Sequence, residues 1–549
     1  MYLENNGAYN YINVRNKKGR IFLKNIKNII ISVIITGILS WILNYFCLPA
    51  WNIESIGMWI FVIITLIIFA TALCTLNYNS NELPKPIILI FGVVGLLIIF
   101  LIGAGFFSSR LVNSKDYASL LESHIKEGDI KDYNATIDNV PLLDKDSAML
   151  LANRKLGTLM DVVSQFEIEG SEQITVKGKP VRVSVLAYSG FFKWINNKSS
   201  GTPGYIMVDM TTQDAELVRV DNGIKYSPSE YFGRDLKRYL RNKFPTLMFE
   251  RPTLELDENG HPYWIAPIID HTIGLFDGKD ISGAVTVDAV TGDVGKYNIG
   301  EIPEWLDNVF GSDLIMKQYD YYGKFQNGYW NSIIGQRGVK VTTEGYNYIP
   351  QGNDNYIYTG VTSAGKDESN IGFIVANKRT KEVIYYPQSG AEEYSAMSSA
   401  EGMVQDLGYI STFPLLLKIE GQPTYFVALK DAAGLVKMYA MINVEKYHIV
   451  AIGDTIKSCR SKYRDLLVSN GAEVSESKKD FVEGKIENIK EAIKQGTTYY
   501  YIKLENNEKY YSLSILDNEE IILLQVGDNV KLISEISEDK NILSANLAK

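Results

Sequence analysis

Apolar and polar positions follow two different rules along this chain. From Ile29 to Phe107, three nearly unbroken apolar runs succeed one another, at roughly Ile29–Ala50, Met58–Leu76 and Ile87–Phe107. Each has about the twenty residues a helix needs to cross a hydrocarbon core, at about 1.5 Å per residue. They carry almost no charge and no amphipathic stripe, unlike the buried helices of a water-soluble core. The first run is too long, and too closely followed by others, for a cleavable signal peptide. Beyond residue 108 the pattern changes to period-two alternation punctuated by turns, with short stretches of helical period between.

Flanking charge predicts the orientation of the spans. Arg15, Lys17, Lys18, Arg20, Lys24 and Lys27 precede the first run, the connection "WNIESIG" has no cation, and the next has only Lys85. Cations stay on the cytoplasmic side, so the N-terminus is expected there and everything after about residue 108 outside. Seven Lys and Arg and three Asp and Glu lie before residue 110, leaving 48 against 61 in the exported part. That acidity excludes nucleic acid as a partner, because phosphate binding needs clustered cations. Cys47 and Cys74 fall in the spans, so Cys459 stands alone outside and no disulfide within the exported part is expected. Abundant Asn, Ile, Lys and Tyr without disulfides is the composition of a low-GC Gram-positive bacterium.

One stretch recurs. "VTVDAVTGDVGKY", Val285–Tyr297, is an apolar strand, a turn opened by Asp288 and Thr291, and a second strand. Asp and Thr oxygens bond nearby amides in such turns, and Gly supplies positive φ. "YIMVDMTTQDAELVRV" repeats the form with Asp209 and Thr212, "FIVANKRTKEVIYYP" with Asn377 and Thr380, and "AMINVEKYHIVAIG" with Asn443 and Lys446. Upstream of three copies stands Gly-x-Pro before an alternating strand: Gly178 and Pro180, Gly260 and Pro262, Gly421 and Pro423. The third copy keeps Gly352 and lacks the proline. Helical spacing precedes each copy: Leu156, Leu159, Met160 and Val163; Phe232, Leu236, Tyr239 and Leu240; Leu306, Val309 and Phe310; Ala400, Met403, Val404 and Leu407.

A helix followed by a small antiparallel sheet ending in "VDAVTGDV" resembles the PepSY module of bacterial exported proteins, over roughly residues 144–455. The resemblance implies modules that act by contact with a partner, a peptidase or cell-wall hydrolase being the class it points to, and it carries over no catalytic residue. Farther on, "FVEGKIENIKEAI", "TTYYYIKLEN", "KYYSLSIL", "DNVKLISEIS" and "ILSANLAK" read as five strands. They resemble a small OB-like barrel, an SH3-like barrel or an unclassified sheet being the alternatives.

The expected class is therefore α+β, in this order: a basic cytoplasmic N-terminus (1–28), three transmembrane helices (29–108), a helical linker (109–143), PepSY-like repeats at 144–222, 223–300, 301–388 (divergent) and 389–458 (degenerate), a linker (459–480) and the OB-like barrel (481–549).

Candidate chemistry is sparse. Of His124, His261, His271 and His448, only Asp270-His271 forms an adjacent acid–His pair, and no nucleophile accompanies it. No HExxH or zinc-type cysteine pair occurs. "DENG" at 257–260 lacks the remaining ligands of a calcium loop. Cys459 reads as a quiet buried thiol. The sequons at Asn134 and Asn197 are short patterns. The aromatic band "YDYYGKFQNGYW", 319–330, is a candidate contact surface for a partner or glycan. No catalytic, cofactor-binding or metal-binding residue is assigned, and no cofactor is expected. The expected role is a non-enzymatic interaction protein, a scaffold or regulator of an envelope partner, with the lipid bilayer and an extracytoplasmic protein as partners. The alternative is a structural subunit of a larger envelope assembly. Three spans exceed what anchoring requires, which points to lateral contacts such as a homo-oligomer. Catalysis at Asp270-His271 and transport through the spans are the weaker readings, the spans having few ionisable groups.

Overall fold

A computed structural model describes residues 4–77, 85–133, 135, 137, 140–363, 369–472, 474, 479–494, 497–515, 518–535 and 542–547. It divides into two compact units, one of residues 1–129 and 139–388, the other of residues 130–138 and 389–549.

The first unit begins with three long helices, α1 (Glu4–Cys47), α2 (Ile56–Leu76) and α3 (Lys85–Phe107), whose apolar spans are Ile26–Cys47, Ile56–Leu76 and Pro86–Phe107. Most of their apolar side chains face outward, the arrangement lipid contact requires. Their few polar groups meet across helices instead. Asn28 Nδ2 donates to Leu76 O (3.1 Å) and Asn77 Oδ1 (2.9 Å), and Ser40 Oγ lies 3.2 Å from Thr65 Oγ1. The first span ends at Cys47 rather than the expected Ala50. Pro49 disfavours helical geometry at Leu48, which instead takes φ +49°.

Helix α4 (Ser114–Glu122) leads to the short strand β1 (Ile125–Glu127), and α5 (Lys145–Gly157) and α6 (Met160–Val163) precede the first sheet. That sheet is antiparallel, β2 (Phe166–Val176), β3 (Lys179–Tyr188), β4 (Thr202–Asp209) and β5 (Ala215–Ile224) in order, with α7 (Phe191–Asn197) after β3. Helix α8 (Leu236–Lys243) precedes the second sheet. There β8 (Pro262–Ile273) pairs β9 (Asp277–Asp288), β6 (Met248–Phe249) and β7 (Thr253–Leu256) share the outer edge of β8, and β10 (Val294–Asn298) closes the other side. Helix α9 (Ser312–Phe325) precedes the third sheet: β11 (Lys340–Thr342), β12 (Asn347–Gln351) and β13 (Asp354–Ser363), then strands Gly372–Asn377 and Val383–Tyr386, with β1 parallel to the last.

Two cores explain why the second sheet reads as a nearly continuous apolar run. Trp264, Ala266, Val285 and Val287 pack with Ile174, Val183 and Tyr205 of the first sheet and with Leu236 and Leu240 of α8. Ile265, Ile281 and Ala284 point the other way, against Ile315 and Tyr319 of α9 and Ile357 and Ile374 of the third sheet. A strand apolar on both faces must be covered on both.

The second unit has an antiparallel sheet in which Ile410–Ser411 and Leu415–Ile419 both pair Gln422–Lys430, followed by Val436–Asn443 and Val450–Gly453. Helix α10 (Glu393–Gly402) precedes it and α11 (Ile456–Ser469) follows. Tyr133 Oη, from the segment that returns to this unit, donates to Leu416 O (2.7 Å). The unit also holds a closed five-stranded barrel, Lys479–Lys494, Thr497–Leu504, Tyr510–Ser514, Ile542–Leu547 and Asn529–Glu535 in closing order; the pair Tyr510–Ser514 with Ile542–Leu547 runs parallel.

The recurring turn has one geometry. Asp209 Oδ1 accepts from the amides of Thr211 (2.8 Å) and Thr212 (2.9 Å), Asp288 Oδ1 from Val290 (2.8 Å) and Thr291 (3.0 Å), and Asn377 Oδ1 from Arg379 (2.8 Å) and Thr380 (3.0 Å). Four residues on, Gln213, Gly292 and Lys381 all take positive φ, 66°, 82° and 67°. Asn443 keeps one such bond, to Lys446 N (2.8 Å). The Gly-x-Pro signature has a place in the same turn. Pro180 O accepts from Met210 N, Pro262 O from Ala289 N and Pro423 O from Val444 N, each at 3.1 Å. In the third sheet Asn355 O takes the proline's part, accepting from Lys378 N at 3.2 Å.

Four helix assignments shift. Met160 and Val163 are exposed, because α5 ends at Gly157 and only a single turn follows. Phe232 sits in a 3₁₀ turn before α8. Leu306, Val309 and Phe310 are buried in an irregular segment, and the helix is the aromatic Ser312–Phe325. Met403 and Leu407 lie beyond α10, exposed. The stretch expected to be a linker from Cys459 onward instead begins inside a packed helix, since Cys459, Tyr463 and Leu467 of α11 are buried.

Candidate binding cleft

A cleft runs across the first unit along the outer edge of the first sheet. Strand β2 is that edge, and its pairing with β3 slips between Ile168 and Ser171, where Gly170 takes φ +148°. Such a bulge frees edge backbone and turns it outward. Residues 169–172 thereby face the β6–β7 connection, Phe249–Thr253, across a cavity of about 480 Å³. Its back wall is apolar: Val185, Leu240, Phe249 and Trp264. A second cavity of about 440 Å³ adjoins it, lined by Lys279, Lys317, Tyr346, Tyr348 and Lys378. Glu172, Glu250, Arg251 and Thr253 belong to both, so the two form one continuous groove. Glu250 and Lys279 form an ion pair on its rim. Burial pushes the Glu169 carboxyl above the ordinary carboxylate range, against the pull of Arg251.

The polar end rests on a buried charge network. Glu255 of β7 accepts from the amides of Asp307 (2.8 Å) and Asn308 (2.9 Å), and Asp307 accepts from Thr175 N of β2. Lys378, buried within the third-sheet turn, donates to Asn308 Oδ1 and sits 4.7 Å from the centre of the Tyr348 ring. Asn355 Nδ2 donates to Gln173 O (3.0 Å). Three sheets are joined here. Burial raises the Glu255 carboxyl, with bonds from Asp307 and Asn308 and the Lys378 charge opposing. Burial and the nearby Glu255 push Asp307 well above its ordinary value. Burial lowers the Lys378 ammonium, against Glu172, Glu255 and Asp307.

The sequence candidates fall elsewhere. Asp270 and His271 lie on β8 opposite Asp280 and Lys279, and His271 Nδ1 is buried without a protein partner. The close acid–His pair is instead His261 with Asp288, Nε2 to Oδ2 at 3.0 Å, which ties the Gly-x-Pro turn to the recurring turn. Burial alone would raise Asp288, but the amides of Thr291 and Val290 and the His261 ring hold it low. Asp257 Oδ1 accepts from Asn259 N and His261 N, both 2.8 Å, and so caps its own turn. Burial and the nearby Lys381 lower His124, and His448 sits in an exposed turn. Cys459 Sγ donates to Ala451 O (3.3 Å), and burial pushes the thiol up to about 12. Asn197 donates to Lys193 O (2.8 Å), and Asn134 lies outside the described residues. In the aromatic band, Tyr319, Tyr321 and Phe325 are buried and Trp330 is exposed. Among the described residues no three His, Cys, Asp or Glu side chains gather around one point.

The cleft escaped sequence reasoning because its members come from positions 172, 251, 279, 317, 346 and 378, with no local motif. No family model matches this chain, and no curated protein matches it.

Proposed function

We propose that this chain is a membrane-anchored extracytoplasmic interaction protein, a scaffold or regulator of an envelope partner, and that its cleft receives an extended segment of that partner. The observation that carries this is the groove itself: an apolar pocket continuing into a polar, tyrosine-lined one, beside a bulged edge strand. An extended peptide bonds to such an edge through its backbone while alternate side chains enter pockets. One large apolar side chain fits the Val185–Trp264 end and polar flanks fit the Tyr346–Lys378 end. The repeated turn and helix-then-sheet order support a PepSY-like kinship. The barrel's closing order and its single parallel pair support an OB-like reading. The basic N-terminus supports a cytoplasmic start, with the chain after about residue 108 outside.

The test is a crosslinked pull-down of the full-length protein from native membranes, beside its mass in mild detergent. An envelope protein recovered at fixed ratio, and lost on Thr253→Arg, supports the proposal. A large self-assembly with nothing else attached contradicts it and favours a structural subunit.

A further inference from the structure

Two exposed apolar patches lie outside the spans, each beside an element that contacts a span end. The first belongs to α7 and the turn before α8. Phe192 is 79% exposed and Phe232 57%, with Phe191, Ile195 and Tyr231 also exposed beside them. They stand on a rigid base. Trp194 Nε1 donates to Glu230 Oε2 (2.8 Å), Tyr188 Oη donates to Glu230 Oε1 (2.7 Å), and the Trp194 ring packs against Phe191, Tyr231 and Phe232. Phe232 takes φ +58°, a left-handed conformation in which its Cβ crowds the following carbonyl oxygen.

The helix that follows this patch, α8, contacts the end of the first span. Trp51 N donates to Pro245 O (2.9 Å), Arg241 Nε to Leu48 O (3.2 Å), and Arg238 Nη1 to Tyr45 O (2.8 Å) with its guanidinium 3.7 Å from the Tyr45 ring centre. Trp51 and Leu48 lie just past the first span and Tyr45 in its last turn, so α8 rests against the end of that span, and Tyr231 and Phe232 belong to the turn that leads into α8.

The second patch follows α9. Tyr117 Oη donates to Ser108 O (2.7 Å) just past the third span, and the Tyr117 ring meets Tyr321 at 5.0 Å. Arg110 lies 5.2 Å from the Tyr321 ring centre. Leu121, farther along α4, packs instead with Ile315 and Tyr319. Helix α9 thus runs toward the span end, and Phe325, Tyr329 and Trp330 continue the ring contacts beyond it. There Trp330 is 66% and Ile334 78% exposed, with Ile333 exposed between them.

We propose that these two loops, Phe191–Ile195 with Tyr231–Phe232 and Trp330–Ile334, insert into the interface of the bilayer that holds the spans, and seat the first unit on it at two points. Aromatic rings and aliphatic side chains partition to that layer, while neighbouring cations reach back to headgroup phosphates. Lys193 lies within the first loop, Lys198 and Arg234 beside it, and Arg337 follows the second. Continuity with the span ends selects lipid over a protein partner. This inference rests on the spans lying in a bilayer and is independent of what enters the cleft.

The test uses full-length protein in nanodiscs, with Cys47→Ala and Cys74→Ala, carrying an NBD fluorophore on Phe192→Cys, Ile334→Cys, Leu96→Cys or Asn259→Cys. Asn259, exposed in the turn between β7 and β8, is the aqueous reference. Leu96, inside the third span, is the lipid reference. At positions 192 and 334, doxyl-lipid quenching at least half that at Leu96 and iodide quenching several-fold below Asn259 are expected. Iodide quenching equal to Asn259 at either position overturns the proposal. Lack of doxyl quenching at Leu96 would overturn the bilayer placement itself.

Discussion

The two ends of the cleft are built in opposite ways. The apolar end draws on α8 and on strands β3 and β8, whose buried apolar side chains are continuous with the core beneath, so its back wall is held chiefly by burial. The polar end draws on Glu255, Asp307 and Lys378, brought from three separated stretches into a space without water-facing surface for their charge. An apolar wall tolerates repacking at graded cost, whereas a buried charge network fails when its cation goes.

The sharpest break in that comparison is Lys378→Met. It leaves Glu255 and Asp307 buried without their cation and is expected to remove about 3–5 kcal/mol of stability, read as a lowered melting temperature of the full-length protein in detergent. Leu240→Ala, at the apolar end, should cost about 2–4 kcal/mol, as a cavity does, with no dependence on pH. If Lys378→Met proves the milder of the two, the polar end is not the fragile one.

Asp307→Asn should go the other way. The raised pKa means that the folded state holds a proton more tightly than the unfolded chain. The stability this group contributes is full below its unfolded value of 3.8 and is lost as pH rises through the raised folded value. An Asn keeps an acceptor for Thr175 N and removes the repulsion from Glu255. The variant should therefore match wild type near pH 4 and gain on it by about 1 kcal/mol or more toward pH 8, measured as the difference in melting temperature across that range. A constant difference would mean that Asp307 does not titrate as its burial implies.

The smallest effect concerns Cys459. With the thiol buried and its pKa pushed up to about 12, maleimide should leave it unmodified in the native protein and label it after denaturation, as mass spectrometry would show. Native labelling would place α11 away from its sheet.

What could be read from sequence was whatever depends on neighbours in the chain. The spans need only twenty apolar residues, and Asp209, Asp288 and Asn377 need only the amides two and three positions on. The proline signature was visible too, though its carbonyl's bond to the turn required the hairpin to be folded. Contacts between distant residues were not legible. His261 meets Asp288 from 27 positions away, and Asp270-His271, adjacent in sequence, points to no shared site. Leu306, Val309 and Phe310 have helical spacing yet plug a core from an irregular segment, while the tyrosines of α9 hid a helix whose buried face is aromatic. The cleft was invisible for the same reason as the charge network under it.

The most direct test of the account is a photo-crosslinker, p-benzoylphenylalanine, placed at Thr253 between the two ends of the cleft, with exposed Glu216 of β5 as reference. Irradiated in native membranes, the probe at Thr253 is predicted to give a discrete adduct with a segment of another envelope protein, and the probe at Glu216 none. Adducts only with a second copy of this chain, or the same pattern at both positions, would contradict a cleft that receives a partner.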